Sequence, residues 1–198
     1  MEIYEQFDIQ GYAVVKSLLD AGTAASLSRF AVSRAAAGTE SDLQVPGTPA
    51  IYGDPVMEKI LLSLVPSVER ASGRKLFPTY SYFRVYKRGD TLARHKDRPS
   101  CEISVSVCLG YRAPRTWPLC VEGSSGIYAA RLEPGDGLLY KGVECAHWRD
   151  PFEGESATQV FLHYVDQNGP YAEWRFDKRS EPLQAANRSP RGQIAPGA

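Results

Sequence analysis

From residue 75 onward the chain alternates short apolar or aromatic runs with turn-forming segments. The runs are "TYSYFRVY", "CEISVSVCLG", "PLCVEG", "GIYAARL", "GLLYKG" and "ATQVFLHYV"; between them lie "KRGD", "YRAPRT", "EGSSG", "EPGDG" and "DPFEGE". Gly, Pro and Asp punctuation at this spacing predicts antiparallel strands, and no helical segment of the length a parallel crossover needs separates them. There are too many runs for one exposed hairpin. The expected fold is therefore mainly β with flanking helices: a sandwich, jelly roll or barrel with N-terminal helices packed outside.

The first 75 residues carry the helices. "GYAVVKSLL" reads as a short strand, after which Asp20 caps a helix over "AGTAASLSRFAVSRAAAG" that ends at Gly38. Ala24, Leu27, Phe30, Ala31 and Ala35 give it an apolar stripe suited to a sheet. Residues 38 to 53 read as a surface loop. Asp54 and Pro55 then open "VMEKILLSLVPSVERASG", which Pro66 should kink or divide. A chain of 198 residues suits a single domain. Residues 1–177 are assigned to it, and 178–198, rich in Pro, Arg, Gly and Ala, form a loosely ordered tail.

Alternation within two strands assigns faces. Tyr80, Tyr82, Arg84 and Tyr86 share one side of the first, while Glu102, Ser104, Ser106 and Cys108 oppose Ile103, Val105, Val107 and Leu109 on the second. Two readings of the polar rows stay open: a face turned to solvent, or the lining of a polar cavity inside a jelly roll.

Charge excludes some functions. The 23 basic residues cancel the 23 acidic ones, so nothing asks for nucleic acid or an anionic membrane. No stretch approaches the roughly 18 apolar residues of a membrane span. Cys101, Cys108, Cys120 and Cys145 lack CxxC spacing, and "MEIYEQFDIQ" lacks the basic start and apolar run of a secretory signal. Reduced thiols in a cytoplasmic protein are expected.

The chain has three histidines, His95, His147 and His163. His95 and Asp97, two apart in an extended segment, project to the same side, with Lys96 pointing away. Two imidazoles and one carboxylate on one face of an octahedral ion leave three positions open, as non-haem Fe(II) oxygenases require. An HxD pair alone arises often by chance. His147 is the better third ligand, because it follows the tight turn "EPGDG", the strand "LLY" and a short loop; His163, inside "QVFLHYV", reads as a strand-buried histidine bonded to its neighbours.

The series "FRVYKRGDTLARHKD", the following β-run, "LEPGDGLLYKGVECAHWRDP" and "ATQVFLHYV" resembles the Fe(II)/2-oxoglutarate-dependent dioxygenase superfamily, nearest its prolyl 4-hydroxylase and phytanoyl-CoA hydroxylase-like groups. The likeness covers about residues 76 to 166, and "FDIQGYAVVKSLL" also resembles the strand that opens many such chains. It implies a double-stranded β-helix (a cupin-like jelly roll) with Fe(II) held by His95, Asp97 and His147. It also implies 2-oxoglutarate as cosubstrate, O2 as oxidant, and hydroxylation of an unactivated C–H bond with release of succinate and CO2. Related halogenases have Gly or Ala at the position of Asp97, so its carboxylate favours hydroxylation, or the related desaturation and demethylation.

The family's basic anchor for the far carboxylate of 2-oxoglutarate, about ten residues after the distal histidine, is replaced here by Ala157, Thr158 and Gln159. No basic residue occurs between Arg149 and Arg175, yet a buried dianion needs a cation. Arg149 is the first choice, Arg84 the second and Arg98 a third. Tyr86 falls where related enzymes often touch the cosubstrate with a tyrosine, and Ser104 heads a hydroxyl row that faces the same ligand. Arg98, Tyr52 and Trp117, with Arg112 and Arg115, are candidate contacts for a small acid, amino acid or peptide, with a small molecule preferred. Oligomeric state is not legible. The rival readings are a cupin-like metal- or ligand-binding protein without oxygenase activity, a peptide hydroxylase, and a structural β-domain whose His and Asp spacing is coincidence.

Overall fold

A computed structural model describes residues 1–37 and 42–180. In chain order these form α1 (Ile3–Gln10), β1 (Tyr12–Val15), α2 (Ala21–Ala36), β2 (Ala50–Tyr52), α3 (Pro55–Ser63), α4 (Val65–Ser72), β3 (Leu76–Lys87) and β4 (Leu92–His95). A short 3-10 turn, Pro99–Cys101, precedes β5 (Ile103–Arg112), β6 (Leu119–Gly123), β7 (Gly126–Ala130), β8 (Gly137–Lys141), β9 (His147–Arg149) and β10 (Ser156–Asp166). A second helical turn, Ala172–Lys178, follows.

Local chemistry sets the helix ends. The Asp20 side chain accepts from the Thr23 amide at the start of α2, and Asp54 accepts from Val56 with Pro55 at the head of α3. Pro66 sits in the first turn of α4, where no amide donor is needed, so it divides the predicted helix in two. The expected end of α2 at Gly38 lies outside the described residues. Several elements depart from the sequence reading, among them the short strands β4 and β9. Residues 3–10 are helical, closed by a Glu2/Glu5 capping box and by Gly11 at φ 81°. The strand of "GYAVVKSLL" is confined to Tyr12–Val15. Within the predicted loop, Ala50–Tyr52 pairs with β3, a strand too short to announce itself without its partner.

Two antiparallel sheets face each other, one ordered β1-β8-β5-β10-β3-β2 and the other β4-β9-β6-β7. Ile103, Val105, Val107, Leu109, Val160 and Leu162 turn outward from the larger sheet onto Leu27, Ala31, Met57, Leu61 and Val68 of the helices. Each such side chain, fully buried, contributes about 1.5–3 kcal/mol. The opposite face looks into the space between the sheets. Ser104, Ser106, Tyr80, Arg84, Tyr86, Gln159 and His163 are buried there, which decides the open question of the polar rows in favour of the interior. Glu102 leaves that row; at the foot of β5 its carboxylate instead accepts from the Asp166 amide at 2.8 Å.

Candidate metal centre

β4 and β9 pair so that His95 lies opposite His147. The chain leaves β4 at His95, and the Asp97 amide donates to Gly142 O at 2.9 Å, turning its carboxylate back toward both imidazoles. Asp97 Oδ1 is 3.6 Å from His95 Nε2 and 3.5 Å from His147 Nε2, and donor atoms of all three residues fall within 4.8 Å of one another. Each imidazole is oriented from behind: His95 Nδ1 lies 2.8 Å from Ala93 O and His147 Nδ1 lies 3.1 Å from Cys145 O. A carbonyl can only accept, so both Nδ1 atoms carry the proton and both Nε2 lone pairs face Asp97. Burial pushes His147 below its ordinary pKa, which favours this neutral form. Gly142 makes the close approach possible, since a Cβ there would stand 2.2 Å from Cys101 O and 2.5 Å from Asp97 Oδ2.

Deeper between the sheets lies an unpaired cation. Arg149, 2% exposed, donates to Trp117 O at 2.7 Å and to Gln159 Oε1 at 3.3 Å, and stacks 4.8 Å from the centre of the Trp117 ring. Among the described residues no carboxylate pairs with it, and its Nε has no partner. Burial pushes its pKa down, as expected for a charge stripped of water without a counter-ion. The Tyr86 hydroxyl and Ser106 Oγ are likewise buried and unpartnered. Arg84 Nε is also buried without a partner, but its guanidinium already bonds the Asp42 carboxylate and the Tyr82 hydroxyl, so its charge is neutralised. Native interiors rarely leave such groups unsatisfied, and Arg149 and Tyr86, which share the Trp117 ring as a neighbour, together offer a cation and a hydroxyl suited to a small anionic ligand.

No protein-family model matches the sequence, and no curated protein matches it. Solved structures do match the fold. A Pseudomonas putida prolyl-4-hydroxylase superposes with a TM-score of 0.68 at 15% identity, over 83% of this chain and 97% of that one. SnoN, a non-heme alpha-ketoglutarate-dependent epimerase of nogalamycin biosynthesis, gives 0.69 at 13% identity over 92% and 91%. HygX from Streptomyces hygroscopicus, with nickel, 2-oxoglutarate and hygromycin B bound, gives 0.67 at 16% over 83% and 86%. The fold is the double-stranded β-helix of the 2-oxoglutarate oxygenases. It is shared at identities too low to carry activity across by themselves.

Within this double-stranded β-helix the remaining candidates separate. Ser104 Oγ lies 3.1 Å from Asp97 Oδ2 and 2.8 Å from His163 Nδ1. His163 is buried against the Tyr80 ring at 4.5 Å, its pKa lowered by that burial to about 4, so it is the neighbour-bonded strand histidine the sequence suggested. Trp117, half-buried, packs on Tyr86, Phe152 and Arg149 and walls the cation on one side. Arg112 and Arg115 are exposed and pair with Glu155 and Glu153. Arg98 and Tyr52 converge on Asp177. Sequence reasoning missed Gln159 as a partner of Arg149, together with Ser106, Gly142 and Asp177. Only Ser106 had a visible signal, its place in the hydroxyl row.

Proposed function

We propose that the chain is an Fe(II)- and 2-oxoglutarate-dependent oxygenase that hydroxylates an unactivated C–H bond of a small molecule. One observation carries the reading: a facial set of two imidazoles and a carboxylate shares its interior with a buried guanidinium that has no counter-charge. His95, Asp97 and His147 are assigned as the metal ligands, two neutral nitrogens and one anionic oxygen, the donor set suited to this ion. Bound Fe(II) with 2-oxoglutarate and O2 would supply the oxidative chemistry, releasing succinate and CO2.

The protein's own part is to bind and orient. Arg149, held in place by Gln159 and Trp117, would receive the far carboxylate of the cosubstrate, and the unpartnered Tyr86 hydroxyl would offer it a further donor. Arg84, neutralised by Asp42, is the weaker anchor. The 2-oxoglutarate and hygromycin B bound to HygX support a small-molecule reading. The four free cysteines, all buried, fit the reducing cytoplasm.

Anaerobic titration of the native protein with Fe(II) and 2-oxoglutarate tests the assignment. The expected result is the weak visible charge-transfer band of a chelated cosubstrate, lost in His147→Ala. Arg149→Ala should raise the 2-oxoglutarate requirement roughly 10- to 100-fold, since it removes a charge-assisted bond worth a few kcal/mol, and Arg84→Ala much less. No band with the native protein would leave a cupin-like metal-binding protein; the reverse ranking of the arginines would move the anchor to Arg84.

A further inference from the structure

Immediately after Asp97 the chain builds a second anion site. The Arg98 guanidinium lies 4.7 Å over the Tyr80 ring, and Tyr80 packs in turn on His163, which shares a donor cluster with Asp97 and Cys101. The site is thus one aromatic ring away from the candidate metal ligands. Its donors converge on a single carboxylate: Arg98 Nη1 donates to Asp177 Oδ1 at 2.7 Å, and Arg98 Nη2 and the Tyr52 hydroxyl donate to Oδ2 at 2.9 and 2.6 Å. This is a two-pronged fork plus a phenol, the arrangement that recognises a planar carboxylate. Burial raises the Asp177 pKa, but Arg98 and Tyr52 outweigh it and hold the carboxyl below its ordinary value, so the group stays anionic.

The segment that delivers Asp177 is held at a conformational cost. Phe176, Asp177 and Lys178 all lie in the left-handed region, with φ of 51°, 57° and 59°, a run that residues other than glycine rarely adopt. Beyond it, Arg179 donates to Thr79 O at 2.7 Å and approaches Glu58 to 3.5 Å, while its Nη1 is buried without a partner. A segment that needed only tethering would not require three strained residues to bring one carboxylate into a preformed fork. The Tyr52 and Tyr80 rings, 4.8 Å apart, offer the same site an aromatic floor.

We infer that Arg98 and Tyr52 form the recognition site for a carboxylate on the substrate, and that Asp177 is an internal surrogate which the substrate displaces. The word substrate rests on the oxygenase reading; the anion site does not. The ligand class is a small organic acid with an aromatic or apolar body to lie on Tyr52 and Tyr80. Because a tethered carboxylate competes at high effective concentration, the free site is weak until Asp177 is removed or outbid.

Benzoate, with benzamide as its uncharged counterpart, tests this on the full-length, metal-free protein. In Asp177→Gly, where glycine suits the backbone conformation, benzoate should bind at least tenfold more tightly than in the wild type by calorimetry. Benzamide should bind neither, and adding Arg98→Ala should abolish the gain. In the wild type, saturating benzoate should speed amide hydrogen exchange across residues 172–180. Equal benzoate affinity with and without Asp177, equal binding of benzamide, or indifference to Arg98→Ala would overturn the inference. Should Asp177→Gly fail to fold, Asp177→Asn carries the same comparison. Neither metal nor 2-oxoglutarate enters these measurements, so their failure leaves the oxygenase assignment standing, and loss of the charge-transfer band leaves this one standing.

Discussion

Ser104 Oγ has one proton and three polar neighbours: Asp97 Oδ2, Cys101 O and His163 Nδ1. The carboxylate is the strongest acceptor, so the hydroxyl donates to Asp97 and accepts from a His163 protonated on Nδ1. That chain fixes the carboxylate from the side away from the imidazoles. Ser104→Ala should therefore weaken divalent metal binding about tenfold, as lost ligand-orienting bonds typically do, in competition with a chromophoric chelator; unchanged affinity would remove Ser104 from that role. The convergence of His95, Asp97 and His147 was legible, because HxD needs only the period of an extended chain and His147 only its place after a turn. The partners of Ser104 were not, since alternation tells which face a side chain takes and never which atom it meets. Arg98 and Tyr52 show the same limit: their shared partner Asp177 lies 79 and 125 residues away along the chain.

The turn between β7 and β8 couples the opening elements to the barrel. Gly135, at φ 96°, donates its amide to Cys108 O at 2.8 Å, and a Cβ there would strike Leu19 O at 2.3 Å. Next to it the Asp136 carboxylate accepts from Lys16 Nζ at 2.7 Å and from the amides of Ser17 and Glu133 at 3.0 and 3.1 Å. It thereby pins the link between β1 and α2 to the start of β8. Burial raises the pKa of Asp136, but Lys16 and the two amides outweigh it and leave the group below its ordinary 3.8. A depressed folded-state value means the stabilisation is complete above about 3.8 and is lost as pH falls through the lower folded value. Asp136→Asn should cost about 1–3 kcal/mol at pH 7, and the gap to the wild type should narrow in urea melts as pH falls from 4 toward 2; a gap independent of pH would assign the cost to shape alone. Long alternating strands such as β3, β5 and β10 were readable because their period repeats several times. β2 and β9, at three residues each, complete less than two periods and exist by virtue of the strands they pair with. α1 escaped notice although Glu2, Glu5 and Gly11 spelled its caps.

At the scale of the molecule, antiparallel character and seven of the ten strands among the described residues followed from punctuation, and the helices' outward place from an apolar stripe seeking a sheet. Strand order did not, because pairing partners depend on contacts across the whole chain. β10, the last strand in the sequence among the described residues, lies in the middle of the larger sheet between β3 and β5. On the ribosome this order means waiting. Some roughly 70 residues separate β3 from its partner, so at roughly 5–20 residues per second the nascent chain exposes unpaired edges for about 3 to 14 seconds. Those edges, on strands rich in Tyr, Phe and Val, are the surfaces that invite wrong pairing. Stalled nascent chains ending before Ser156 should be degraded by added protease, and chains carrying β10 clear of the exit tunnel should resist it. Resistance of the shorter chains would mean that the sheet can close without its central strand.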